Sequence, residues 1–208
     1  RRYCSAASLG RRGHQCGRLR RVRDQGRCNL GCRVIPRACK KRGLPFGQSP
    51  VFFIQMEIVV YCVGKLDKGW SGVCCEYLER IGHFCRIRIV EIAEPRGKFR
   101  NPGESVALSS ACLLEKIGES PLVLLDRAGK PCSSEEFSAL LMGELERQPS
   151  RVSLVIGASD GVSDMLRKRA RQVVSFSKLT FPHQLFRVML LEQVYRAFAI
   201  ARGLPYHK

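Results

Sequence analysis

PLVLLDRAGKPCSSEEFSALLMGELERQPSRVSLVIG, residues 121–157, carries the reading that decides the fold. Its two ends, 121–126 and 152–157, are continuous apolar runs, and such strands belong to parallel sheets covered on both faces. Between them Ser133-Ser134-Glu135-Glu136 has the form of a capping box, opening a helix over 133–147. Strand, helix, strand in this order is the crossover unit that parallel pairing requires.

The same texture extends in both directions. EIVVYCV at Glu57–Val63 is a β-branched run ending at Gly64. Trp70, Val73, Cys74, Tyr77 and Leu78 keep close to a 3.6-residue period, which predicts a helix over 67–81 stopped by Gly82. RIRIVEI at Arg86–Ile92 alternates strictly and is expected to show one face to solvent. Residues 94–101 read as a basic loop and 104–117 as a helix stopped by Gly118. A short basic helix over 163–172, a strand over 173–177 and a long helix over 182–202 complete the alternation. The expected class is α/β with a mostly parallel sheet, in one compact domain spanning 56–208.

Charge divides the chain at the same place. The net charge is +18, which points toward a polyanionic partner. Residues 1–55 hold 14 Lys/Arg against the single acid Asp24, whereas 56–208 hold 22 against 17. The first segment shows no helix or strand period and is interrupted by Pro36, Pro45 and Pro50. It is read as a basic Cys/Arg/Gly-rich extension, disordered or extraneous, with Met56 a natural start. An organellar transit peptide, a basic RNA-binding arm, and a zinc site from Cys28, Cys32 and Cys39 are the other readings of it.

The 11 cysteines form no disulfide spacing, which fits reduced thiols in a cytosol-like compartment. The most apolar run, 51–63, contains Gln55 and Glu57 and is too short to span a bilayer.

Ligands of parallel sheets sit outside the carboxyl ends of the strands. Three such ends carry binding-type residues: Leu125-Asp126, the turn 157–161 (GASDG), and 176–181 (FSKLTF). The middle one reads either as a phosphate cradle or as a tight connection, since it has neither P-loop nor dinucleotide spacing. His183 reads as a surface residue at a helix start, Ser163 and Asp164 as capping residues, and Glu192 with Arg196 as an i, i+4 ion pair. No triad, and no Cys/His/Asp set at metal-ligand spacing, stands out in 56–208. The last helix is apolar over most of its circumference, as a helix buried on several sides is; a partner subunit is a natural second wall. Residues 204–208 (LPYHK) are left as a free aromatic-basic tail, able to stack on a base while its cations meet phosphate.

Residues 56–208 resemble the SPOUT-class large-subunit (23S) ribosomal RNA pseudouridine N3-methyltransferases, the RlmH family. The likeness lies in 56–65 (MEIVVYCVGK), Leu125-Asp126 before Gly129-Lys130, and Val155-Ile156-Gly157 with Ser159-Asp160-Gly161. Most specific are 175–183 (SFSKLTFPH), 192–197 (EQVYRA) and the terminal RG-PYHK pattern. The resemblance implies an α/β SPOUT fold whose C-terminal segment forms a deep trefoil knot, a rare exception to unknotted topology. It further implies a homodimer, S-adenosylmethionine as methyl donor, and action on assembled ribosomes in the cytoplasm without a metal. Carried over by motif, cofactor contacts would come from Leu125, Gly157, Phe176, Ser177, Lys178, Leu179, Thr180 and Phe181. His207, Tyr206 and Arg187 are the candidates for orienting the base, with Arg196 and His183 nearby in sequence. Family members usually have a glycine where this chain has Ala158. The other readings of the domain are a non-enzymatic RNA- or ribosome-binding protein of this fold and a SPOUT methyltransferase acting on transfer RNA.

Overall fold

The computed structural model describes residues 32–35, 56–95, 99, 101–147 and 151–207. In chain order its elements are β1 (Cys32–Ile35), β2 (Glu57–Val63), α1 (Lys68–Gly82), β3 (Arg86–Ile92), α2 (Pro102–Ile117), β4 (Leu122–Pro131), α3 (Ser134–Glu146), β5 (Arg151–Ile156), α4 (Asp164–Arg169), β6 (Gln172–Ser175) and α5 (His183–Ala201). The sheet order is β1-β3-β2-β5-β4-β6. The pairs from β3 to β6 are parallel and β1 runs antiparallel at the edge. The expected mostly parallel α/β architecture is therefore present.

Local chemistry sets the boundaries. Asn101 caps α2 by accepting from the Glu104 amide, and Ser133 and Glu136 close the capping box of α3 in both directions. Each replaces a helix-terminal donor's lost partner with a side-chain oxygen. Helices lie on both faces of the sheet. Leu78, Phe137, Leu141, Leu190, Val194 and Phe198 build one core with α1, α3 and α5, while Cys112, Leu113, Ile117 and Leu166 build the other with α2 and α4.

Three expectations are revised. The first 55 residues were read as having no regular element, yet residues 32–35 form β1, which pairs with β3 from Cys32↔Ile92 to Ile35↔Ile89. Of the proposed zinc ligands there, Cys28 and Cys39 lie outside the described residues, as do the other readings of that segment. Strand β3 does not keep a solvent face: Ile89 joins the first core, Val90 and Ile92 the second. Beyond the exposed Arg86 at its start, its charged residues are matched instead, Arg88 to Glu57 at 3.0 Å and Glu91 to Arg187 at 3.1 Å. Alternation along β3 thus records charge pairing inside a three-layer sandwich. Lastly, β4 runs past Asp126 to Pro131, with a register shift against β6 between Leu125 and Lys130.

Cys62, Cys74, Cys75, Cys85, Cys112 and Cys132 carry no disulfide. Burial pushes the thiols of Cys62 and Cys85 up to about 12 and that of Cys74 to about 11. Thiolate is the reactive form, so these three stay inert at pH 8, and among the six cysteines from Cys62 to Cys132 the exposed Cys75 reacts first. Mass spectrometry after brief alkylation of the native protein checks this; early labelling of Cys62 would contradict it.

Candidate functional site

Parallel register assembles the site. Leu125 stands opposite Ile156 on one side and Val174 on the other. The residues that follow, Gly157 after β5 and Phe176 after β6, therefore meet beside Leu125 at the carboxyl edge of the sheet. Strand β5 leads to α4 on one face while β4 and β6 lead to α3 and α5 on the other. Chains parting to opposite faces leave a crevice at the strand ends.

Each wall of that crevice is pinned. After β5 the backbone closes a tight turn, with the Gly161 amide donating to the Ala158 carbonyl at 2.9 Å. Val162 packs so closely on Gly157 that a Cβ there would collide with its Cγ1. Asp126 accepts from the Ala128 amide at 2.8 Å and pairs with Arg167 of α4, also at 2.8 Å. After β6 the Ser175 hydroxyl donates to the Ser177 carbonyl and the Ser177 hydroxyl accepts from the Leu179 amide, at 2.9 and 3.0 Å. Phe176 meets Phe137 edge-on at 5.1 Å, and Phe181 stacks near Phe186 at 6.5 Å. On this braced loop Leu179 remains 70% exposed. A loop held at both ends that still shows a large apolar side chain offers a wall for an apolar ring system, with polar Ser177, Lys178 and Thr180 beside it. Those features fit a nucleoside-type cofactor.

His183 departs from the surface role expected of it. It is half-buried, with Nδ1 sealed from solvent and lacking a partner. Burial, and then the Arg187 charge, hold its imidazole below the usual histidine range, against a hydrogen bond to the Ala158 backbone. It thus ties the loop before α5 to the turn after β5.

The three residues expected to orient a base are not brought together. Arg187 is sealed in the core, donating to the carbonyls of Val63 and Gly64 at 3.0 and 2.8 Å besides its pair with Glu91. It fastens α5 to the ends of β2 and β3. Tyr206 and His207 do lie side by side, but the tail they belong to is not free. The Tyr206 hydroxyl donates to Glu192 at 3.1 Å, and its ring meets Tyr195 edge-on at 4.8 Å. His207 contacts Arg196 through Nδ1 at 3.2 Å and Glu135 through Nε2 at 2.6 Å. Glu192 in turn holds Arg196 at 2.5 Å, the expected ion pair, now with the tail as a third member. Desolvation and neighbouring hydroxyl and carboxylate groups raise the Tyr206 pKa, so its phenol stays protonated. Hydrogen bonds from Ser133, its own backbone and His207 hold the Glu135 carboxyl down at about 2. Lys208 lies outside the described residues.

Between α3 and α5, beside Phe176, opens a cavity of about 430 Å³. Tyr77, Phe137, Phe176 and Met189 give it apolar walls, and Glu192 and Gln193 a polar side. In the sequence Gln193 stands only as part of the EQVYRA motif and Glu135 only as part of a capping segment, with no site role for either. The spacing of Glu192 and Arg196 was a signal, but one fully accounted for by a helix-surface pair. Among the described residues no group of His, Cys, Asp and Glu is arranged to hold a metal, and no helix is long and apolar enough to cross a membrane.

Comparison with known families matches residues 56–207 to the one described as "Predicted SPOUT methyltransferase". The "Ribosomal RNA large subunit methyltransferase H" of Clostridium acetobutylicum is 43% identical over 163 residues, covering 74% of this chain and all of that protein. The protein of the same name from Streptococcus pyogenes serotype M3 is 37% identical over 160 residues, with the same coverage of both chains. A solved structure of a probable methyltransferase from Bordetella pertussis Tohama I gives a TM-score of 0.44 at 15% identity, over 70% of this chain and 95% of that one. The sequence relatives carry the assignment.

Proposed function

Because the chain belongs to the SPOUT methyltransferase family, we propose that it transfers a methyl group from S-adenosylmethionine to N3 of a pseudouridine in large-subunit ribosomal RNA, acting on the assembled ribosome. One observation carries the reading: Leu125, Gly157 and the braced loop 176–181 share one crevice at the carboxyl edge of the sheet. The site of action proposed with this substrate is the cytoplasm.

When bound, S-adenosylmethionine supplies an electrophilic sulfonium methyl. The protein's own task is then to hold N3 in line with it, exclude water and ease loss of the N3 proton. Leu125, Phe176, Leu179 and Phe181 would wall the cofactor, with Gly157, Ser177, Lys178 and Thr180 on its polar side. The segment from Phe176 onward would complete the trefoil knot. In a homodimer paired through α5, Tyr206 and His207 would orient the base. Arg187 acts from beneath as a positioning residue, since both its terminal nitrogens are engaged inside the domain, with Glu91 and with the carbonyls of Val63 and Gly64.

Calorimetric titration with S-adenosylmethionine, followed by methyl transfer to ribosomes and to transfer RNA, tests the proposal. Binding together with labelled ribosomal RNA is the expected result. Absence of cofactor binding would leave a non-enzymatic RNA-binding protein, and labelled transfer RNA alone would move the substrate. His207→Ala is expected to lower kcat on ribosomes about 10²-fold, as misplacement of a reacting group does, with cofactor affinity retained. Unchanged transfer would remove the tail from the mechanism.

A further inference from the structure

The polar side of the cavity is a chain of hydrogen bonds with a fixed direction. Arg196 and the Tyr206 hydroxyl both donate to Glu192 Oε1. Gln193 Nε2 donates to Glu192 Oε2 at 2.7 Å. A carboxylate only accepts, so the amide cannot flip; its Oε1 must point the other way, where the Ser134 hydroxyl donates to it at 2.8 Å. An amide oxygen has two acceptor sites, and Ser134 occupies one. Gln193, with this fixed and half-used acceptor, therefore lines a cavity whose other walls include Phe137 and Phe176.

The cavity's chemistry selects a class of ligand. Glu192 in its wall, and Glu135 and Glu136 beside Ser134, disfavour phosphate. Aromatic walls favour a flat ring, which Phe and Tyr side chains stack or meet edge-on. A half-used acceptor calls for a ring N–H. Pseudouridine is joined to ribose through C5, so its N1 keeps a hydrogen. In uridine that nitrogen carries the ribose and has none, while N3–H is common to both.

We infer that the cavity between α3 and α5 takes the target base, and that Gln193 Oε1 accepts the N1–H of pseudouridine, so that the enzyme distinguishes it from uridine. The inference rests on the methyl transfer proposed above. Glu192 serves it as a positioning residue, fixing which end of the amide faces the base. Burying uridine in the same place leaves the acceptor without a second donor, and an unmade hydrogen bond in a closed site is what discriminates.

The test compares kcat/KM on reconstituted ribosomes bearing pseudouridine, uridine or N1-methylpseudouridine at the target position. Wild-type enzyme is expected to prefer pseudouridine by about 10- to 100-fold over either alternative, the range that one such hydrogen bond supplies. Gln193→Leu and Gln193→Met should lose that preference by slowing on pseudouridine alone, with affinity for S-adenosylhomocysteine retained. A general loss of structure would slow all three substrates together. Equal slowing on all three by variants that still bind S-adenosylhomocysteine, a preserved preference in the variants, or full wild-type activity on N1-methylpseudouridine would each overturn the inference. Wild-type enzyme that binds cofactor and methylates none of them would overturn the proposed function along with it.

Discussion

Arg187→Met is expected to reduce the unfolding free energy by about 3–5 kcal/mol, the cost of breaking a buried ion pair by removing one member. Arg187 is 1% exposed and Glu91 5%. Methionine fills much of the same volume, so packing alone would cost little. What remains is a carboxylate without its counter-charge and two strand-end carbonyls, of Val63 and Gly64, without their donor. Urea denaturation of the variant beside the wild type measures the loss. Adding Glu91→Leu should recover part of it by removing the stranded charge, though the Leu66 amide then loses the acceptor it reaches at 2.6 Å. A loss below about 1 kcal/mol would place the pair among weak surface contacts. Cofactor affinity should fall together with stability, because the same guanidinium holds α5 and hence the loop 176–181 before it.

Gly129→Ala carries the second large effect. A Cβ on Gly129 would stand 2.7 Å from the Val174 carbonyl carbon and 2.8 Å from both the carbonyl carbon and oxygen of Val173. These are backbone atoms of a paired strand, so no side-chain rotation relieves the overlap; the two strands must move apart. Overpacking of this kind costs about 1–3 kcal/mol. Displacement of β6 also moves Phe176, so affinity for S-adenosylmethionine should drop with it. Thermal unfolding and calorimetric titration of the variant read the two effects. A variant that melts and binds like the wild type would show that the β4 extension yields freely. Gly129 entered the sequence reading only as part of a family resemblance; its physical reason is this close approach.

The fold was largely legible because strand and helix periods stood apart. Residues 121–157 read correctly as strand, helix, strand, since unbroken apolar runs and a capping box are both local signals. Strand β3 misled because strict alternation is equally the mark of a half-exposed strand and of a buried one whose charges are paired. Its partner Arg187 lies 96 positions along the chain, beyond any local period. The crevice was legible in outline, for residues at strand ends follow from the strands themselves. The tail was not. Nothing near residues 204–207 announces Glu135, 72 positions away, as the acceptor for His207. Likewise the sequence marks Glu192 and Arg196 as a pair but cannot show that a tyrosine closes the triangle.

The link from Arg187 to Val63 joins residues 124 positions apart, and Phe198 packs in the same core as Met56 and Ile58. The first strand of the domain is thus completed by its last helix. A chain lacking α5 cannot seal that core, because the residue that neutralises Glu91 and satisfies the end of β2 lies in that helix. Contacts of such long sequence separation slow folding and leave apolar sheet exposed until they form. A chain terminated a few turns early keeps most of its strands but presents an open hydrophobic face and a stranded carboxylate. Loss of α5 is therefore expected to expose the chain to aggregation and proteolysis.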